Sequence, residues 1–204
     1  MRTSYNRIAG QSVERSAALS DGVFAVAMTL LVLDLCAPAV EAVHNEQDLW
    51  LALGALAPRL IMCAMTFMTL GIFWVGQQTQ LNHLSRSDRS LSWMHILFVF
   101  AVSMTPFSTM LLAGFIAYRI ALLVYWVNLL LLGGTLYFTW VCAAGLGLVR
   151  DDISPAVATA IKRRIVIGQS LYAFGALLCM VSIGFIVLVQ LNYAIAPRLP
   201  GRGR

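Results

Sequence analysis

Two carboxylates bracket an apolar run close to the start of the chain. The segment SDGVFAVAMTLLVLDL, residues 20–35, carries Asp21 at its head and Asp34 near its tail. A carboxylate kept beside a membrane-length segment has two chemical uses: it gathers cations at a water-filled mouth, or it holds neighbouring helices by accepting hydrogen bonds. Other reactive residues are sparse. His44, His83 and His95 show neither HExxH nor i,i+4 ligand spacing, so no metal site is expected. Cys36, Cys63, Cys142 and Cys179 lack CxxC spacing and read as small apolar packing residues. Ser103, Thr105, Ser108 and Thr109 flank Pro106, where hydroxyls satisfy backbone freed by a helix-breaking proline. No GxSxG, paired-carboxylate or phosphate-cradling motif occurs, and neither an enzyme nor a cofactor is expected.

The elements that must position these residues are set by composition. Of 204 residues, 60% are hydrophobic and 11% charged, and the mean hydropathy is +0.81. This is the composition of an all-α integral membrane protein, a single domain over residues 1–204 whose partner is the lipid bilayer. The net charge of +5 does not point to nucleic acid, because the basic residues cluster between apolar runs as topogenic charges do. Spans are expected at 17–37, 49–77, 91–113, 118–149, 165–181 and 184–195. The first is expected to be retained, since its leading Ser-Asp-Gly is wrong for a signal peptide. Arg15, Arg86, Arg89 and the triplet Lys162-Arg163-Arg164 fall on one side of this arrangement, the acidic loop with Glu41, Glu46 and Asp48 on the other. The positive-inside rule makes the first side cytoplasmic. Six spans, with a turn at Ser182-Ile183-Gly184, also return the basic tail to the cytoplasm and make both termini cytoplasmic.

On a helix at 100° per residue, Gly22, Thr29, Leu30 and Leu33 fall within about 60° of Val26. Asp21, Phe24, Met28, Leu31 and Leu35 fall on the other side. The first stripe is narrow and carries one hydroxyl; such a stripe is either a tight helix seam or a pore lining. Asp21 lies off it, which gives that carboxylate a structural task, whereas Asp34 is placed to collect cations at an outer mouth.

The pattern Arg15-x-x-x-Leu19-Ser20-Asp21 followed by GVFAVAMTLLVLDL resembles the RxxxFSD signature of the transmembrane protein 175 family of potassium-permeable channels. GIFWVGQQ at 71–78 and LSWMHILFVFAVSMTPFST at 91–109 resemble that family's second-span ending and third span. The resemblance implies six transmembrane helices per chain and a homotetramer with the first helix lining a central pore in the cell membrane. It implies potassium as the permeating ion, passing a hydrophobic constriction with no TVGYG filter. Carried onto this sequence, the ion path is Gly22, Val26, Thr29, Leu30 and Leu33, with Val26 the constriction and Thr29 linked to potassium preference. The family's polar scaffold maps to Arg15, Ser20, Asp21 and Trp74. Two departures from the pattern occur: Leu19 replaces Phe, and Gln77 and Gln78 replace a customary His pair, so that either the network is rewired through His95 or gating differs from the family pattern.

Two other classes share this composition. A secondary transporter needs discontinuous helices, a midplane polar site and, usually, internal repeats, and no repeat between the halves is evident. A non-conducting scaffold subunit would give no current.

Overall fold

The computed structural model describes residues 12–33, 35–150 and 155–181. Its long elements are α1 (Val13–Leu33), α2 (Glu46–Asn82), α3 (Arg89–Gly114), α4 (Arg119–Gly145) and α5 (Pro155–Val181), with a 3-10 turn at Val40–Ala42. The described chain is all-helical, and α1 to α4 are each long and apolar enough to cross a membrane. The protein is therefore a multi-pass membrane protein. Asp34, the turn at 182–184, the sixth span at 184–195 and both termini lie outside the described residues.

Local chemistry sets where the helices start and stop. Asn45 caps α2 by accepting from the Asp48 N–H at 2.9 Å, and Asp48 Oδ2 accepts from the His44 N–H at 3.1 Å. The first bond satisfies a donor that a helix start leaves orphaned, and the second ties the residue before the cap to the first turn. Asp88 caps α3 in the same manner, its Oδ1 accepting from the Leu91 N–H at 3.0 Å. Helix α4 stops at Gly145, short of the limit at 149 that hydropathy suggests. Gly147 adopts φ +62°, the left-handed conformation that glycine enters without strain. The Leu148 N–H then reaches the Ala143 carbonyl at 3.0 Å, and the Gly147 N–H reaches that of Ala144 at 3.3 Å, completing a Schellman cap.

The reversal lays Val149 beside Leu84 in an antiparallel bridge. The Ser85 N–H donates to the Leu148 carbonyl at 2.9 Å, and the Arg150 N–H to that of His83 at 3.0 Å. The two connections on this side, α2 to α3 and α4 to α5, are clasped to each other.

Two helices extend further than the apolar runs alone. Helix α2 has 37 residues, about 55 Å at the helical rise, well beyond a hydrocarbon core of roughly 30 Å. Helix α5 begins at Pro155 instead of near 165, because proline suits a first helical turn whose N–H has no partner to lose. The basic triplet Lys162-Arg163-Arg164 consequently sits within a helix, not in a loop.

Helix α1 packs on α2 and α3, α3 on α4, and α4 on α5. Leu70, Val102, Leu112 and Leu132 are completely buried at the centre. The α4–α5 approach depends on Gly133: a Cβ there would lie 1.5 Å from Gln169 Nε2, so the glutamine occupies the space of the missing side chain.

Candidate ion pathway

Helix α1 has two unlike sides. Ser20, Phe24, Ala27 and Leu31 are buried, and they fall on one arc of the wheel. Phe24 packs on Phe98 of α3 with ring centroids 5.9 Å apart, within the range of favourable aromatic pairs. Near the C-terminal end of α1 the Cys63 thiol of α2 donates to the Leu31 carbonyl at 3.4 Å. On the other arc Val26 is 58%, Leu30 44% and Leu33 74% exposed. Gly22 and Thr29 are exposed as well, and a Cβ on Gly22 would meet nothing within 4 Å. These five residues share the side of α1 that its own chain leaves uncovered. The Thr29 hydroxyl donates to the Val26 carbonyl at 2.8 Å. Its hydrogen is thus committed to the helix, while its oxygen lone pairs remain available.

The N-terminal half of α1 is held by a polar layer drawn from three helices. Gln77 Nε2 donates to Ser20 Oγ at 2.7 Å and lies 3.2 Å from His95 Nδ1. His95 Nε2 lies 3.2 Å from Ser20 Oγ. With Gln77 donating to Nδ1, that nitrogen is the acceptor, and the ring hydrogen sits on Nε2, facing Ser20. Ser20, Gln77 and His95 are all buried, so each depends on the others for its hydrogen bonds. Gln77 Oε1 is buried without a partner.

Beside this triangle, Asp21 Oδ1 accepts from Trp74 Nε1 at 2.7 Å and from Gln78 Nε2 at 2.6 Å. Asp21 itself is exposed on the flank of α1. The carboxylate receives two charge-assisted hydrogen bonds from α2 and points away from the Val26 arc. The Arg15 guanidinium makes no hydrogen bond or ion pair among the described residues; Arg15 is linked only through its backbone N–H to Ser12 Oγ at 3.2 Å. The structure thus brings together Ser20, Asp21, Trp74, Gln77, Gln78 and His95, and leaves the Arg15 side chain apart.

A second polar group sits deeper, between α2, α3 and α4. Asn128 Nδ2 donates to Thr105 Oγ1 at 3.0 Å and to Ser108 Oγ at 3.4 Å. Thr109 and Thr66 hydroxyls lie 3.2 Å apart, and Thr66 lies 3.4 Å from the Tyr125 hydroxyl. The hydroxyls around Pro106 bond the carbonyls of Val99, Ala101 and Thr105. The carbonyl that a proline at 106 releases belongs to Val102, so these hydroxyls serve to join helices more than to repair that break. Asn128, a lone amide in an otherwise apolar run, is the one sequence signal that could have located this group.

Comparisons with known proteins converge on one family. Residues 15–106 match the model of the endosomal/lysosomal potassium channel TMEM175. A protein of Streptomyces collinus named as a potassium channel is 30% identical over 190 residues, covering 90% of this chain and 84% of the relative. The mouse endosomal/lysosomal proton channel TMEM175 is 33% identical over 91 residues, and the matched part is only 18% of that longer protein. Among solved structures, the lysosomal potassium-selective channel TMEM175 homolog from Chamaesiphon minutus superimposes with a TM-score of 0.78 at 28% identity, covering 90% of this chain and 95% of that one. By sequence over nearly its whole length, and by fold, this chain belongs to the TMEM175 potassium channel family.

Proposed function

We propose that the protein is a potassium-permeable cation channel of the cell membrane, assembled as a homotetramer of six-helix chains with both termini in the cytoplasm. In this reading four copies of α1 surround the pore, turning Gly22, Val26, Thr29, Leu30 and Leu33 to the axis. The observation that carries it is the two-sidedness of α1. One arc is packed and hydrogen-bonded to its own chain, and the other, with those five residues, is uncovered.

Four Val26 side chains form a hydrophobic constriction, which resists ions by excluding water. Beyond it the Thr29 ring offers oxygens whose hydrogens already point at the Val26 carbonyls. Oxygen lone pairs facing the axis replace part of a cation's hydration shell and repel anions. Asp34 lies at the outer mouth in this arrangement and raises the local cation concentration, an effect screened within about 8 Å at physiological salt. Asp21, held from behind by Trp74 and Gln78, anchors the pore helix and takes no part in conduction. No TVGYG-type carbonyl filter and no resident cofactor is involved.

Flux from potassium-loaded liposomes tests the assignment. Val26→Asn wets the constriction and should raise potassium flux several-fold, while Thr29→Val should reduce the preference for potassium over sodium. If both variants fold and assemble yet leave flux and selectivity unchanged, the pore lies elsewhere. Saturable exchange by the wild type would indicate a carrier, and no flux would indicate a scaffold.

A further inference from the structure

We infer that Lys162 and Arg163 of α5, with Tyr137 of α4, form a binding site for the headgroup of an anionic phospholipid in the cytoplasmic leaflet. The three basic residues Lys162, Arg163 and Arg164 are consecutive, exposed and part of a helix. Among the described residues no carboxylate pairs with any of them. Lys162 Nζ instead sits 5.6 Å from the centre of the Tyr137 ring, a cation–π contact that fixes the ammonium without neutralising it.

Their depth matches a lipid headgroup. Tyr137 is two residues from Thr139, which lines the same small cleft as His95, so Lys162 stands level with the polar layer of Ser20, Gln77 and His95. From Tyr137 back to Arg119, at the opposite end of α4, the helix covers about 27 Å, close to the thickness of a hydrocarbon core. Helix α2 gives the same spacing, about 27 Å from Gln77 to Arg59. Both helices thus place the Lys162 level at one interface.

The surface next to the cations has the remaining half of a phospholipid's chemistry. Ile167 and Phe174 lie within about 40° of Arg163 on the α5 wheel, further into the membrane, and they are 43% and 58% exposed. Arg163 above this apolar strip, with Lys162 about 100° round the helix beside Tyr137 of α4, complements a phosphate group attached to acyl chains. A basic residue near an anionic surface is drawn to it, and here two occupy successive positions of one helix.

The test uses the purified full-length protein, delipidated in a maltoside detergent and titrated with phosphatidylglycerol, with phosphatidylcholine of the same acyl chains, and with inorganic phosphate. Native mass spectrometry reads bound lipid. Phosphatidylglycerol should bind at least tenfold more tightly than phosphatidylcholine, and inorganic phosphate should not displace it. Lys162→Gln with Arg163→Gln should weaken phosphatidylglycerol binding by roughly tenfold or more. Lys162→Arg with Arg163→Lys should retain it, as should Arg119→Gln at the opposite interface. Equal binding of the two lipids, displacement by phosphate, or unweakened binding by the doubly neutralised protein would each overturn the site. Should the neutralised protein fail to fold, the wild-type lipid preference, the phosphate competition and the charge-retaining exchange still decide it.

Discussion

The two polar regions of this bundle differ in how each group is satisfied. In the layer behind α1, Ser20, Gln77 and His95 exchange hydrogen bonds across three helices. In the deeper group, Thr105, Ser108 and Thr109 each send the hydroxyl hydrogen to a carbonyl of their own helix. Across the interface the oxygen lone pairs of Thr105 and Ser108 accept from Asn128, and the Thr109 hydroxyl also lies 3.2 Å from that of Thr66. The first region fails as a unit when one member is lost; in the second, the Thr105 and Ser108 hydroxyl hydrogens stay bonded to their own helix whatever happens across the interface. Fixing the rotation of α1 calls for the first design, and packing α2, α3 and α4 calls only for the second.

The largest effect is expected at Ser20. Replacing it with alanine takes one of two acceptors from Gln77 Nε2 and the hydroxyl partner from His95 Nε2, in a site where Ser20 is completely buried. A buried polar group left unpaired costs about 1–3 kcal/mol, so Ser20→Ala should lower stability by about 2 kcal/mol. For a protein of this size that is a fall of about 4–8 °C in the unfolding midpoint, read by circular dichroism in detergent. A shift below a degree would mean that the triangle is not a cooperative unit.

The contrast also explains what was legible in the sequence. The packed side of α1 could be read from it, because Phe24 and Leu31 repeat at helical spacing and Asp21 sits off the Val26 stripe. Trp74 and Gln77 were reachable only through the likeness to a family motif, since contact between distant helices depends on their mutual rotation. Spans that are apolar all round carry little periodicity from which to infer that rotation. Cys63 and Asn128 escaped for this reason. Arg15 shows the converse: it precedes Ser20 and Asp21 in one motif, yet among the described residues its guanidinium bonds to neither of them. The early start of α5 was hidden because the span was bounded by its apolar run, which three consecutive cations interrupt, although a proline and long basic side chains are compatible with a helix.

A smaller effect is expected at Asp21, which tests whether the layer's exposed edge belongs to the brace or to the ion path. Asn in place of Asp21 keeps an oxygen for Trp74 Nε1 or Gln78 Nε2 but removes the charge that strengthens both bonds. Because the group is exposed, its loss should lower the unfolding midpoint by less than half the Ser20→Ala shift. The ratio of potassium to sodium flux should stay within twofold of wild type. A normally stable Asp21→Asn protein with altered selectivity would place the carboxylate on the pore and reverse the assigned rotation of α1.

The smallest effect is expected in the deeper group, at Asn128. Its Nδ2 is a donor, so Asn128→Leu removes hydrogen bonds that Thr105 and Ser108 accept without removing any that they give. A hydroxyl oxygen with an unfilled lone pair is penalised less than a buried N–H with no acceptor, and an apolar isostere of similar size restores packing contacts. The change should cost well under about 1 kcal/mol and shift the unfolding midpoint by less than Asp21→Asn does, no more than about 1–2 °C. Asn128→Asp keeps the shape but replaces the amide donor with a group that, when ionised, only accepts. Facing two oxygens that also lack a free hydrogen, it should destabilise more than the leucine does. That order, leucine milder than aspartate, follows only if the hydroxyl hydrogens are committed to their own helix. The opposite order would mean that Thr105 and Ser108 donate across the interface, and the two polar regions would then share one design.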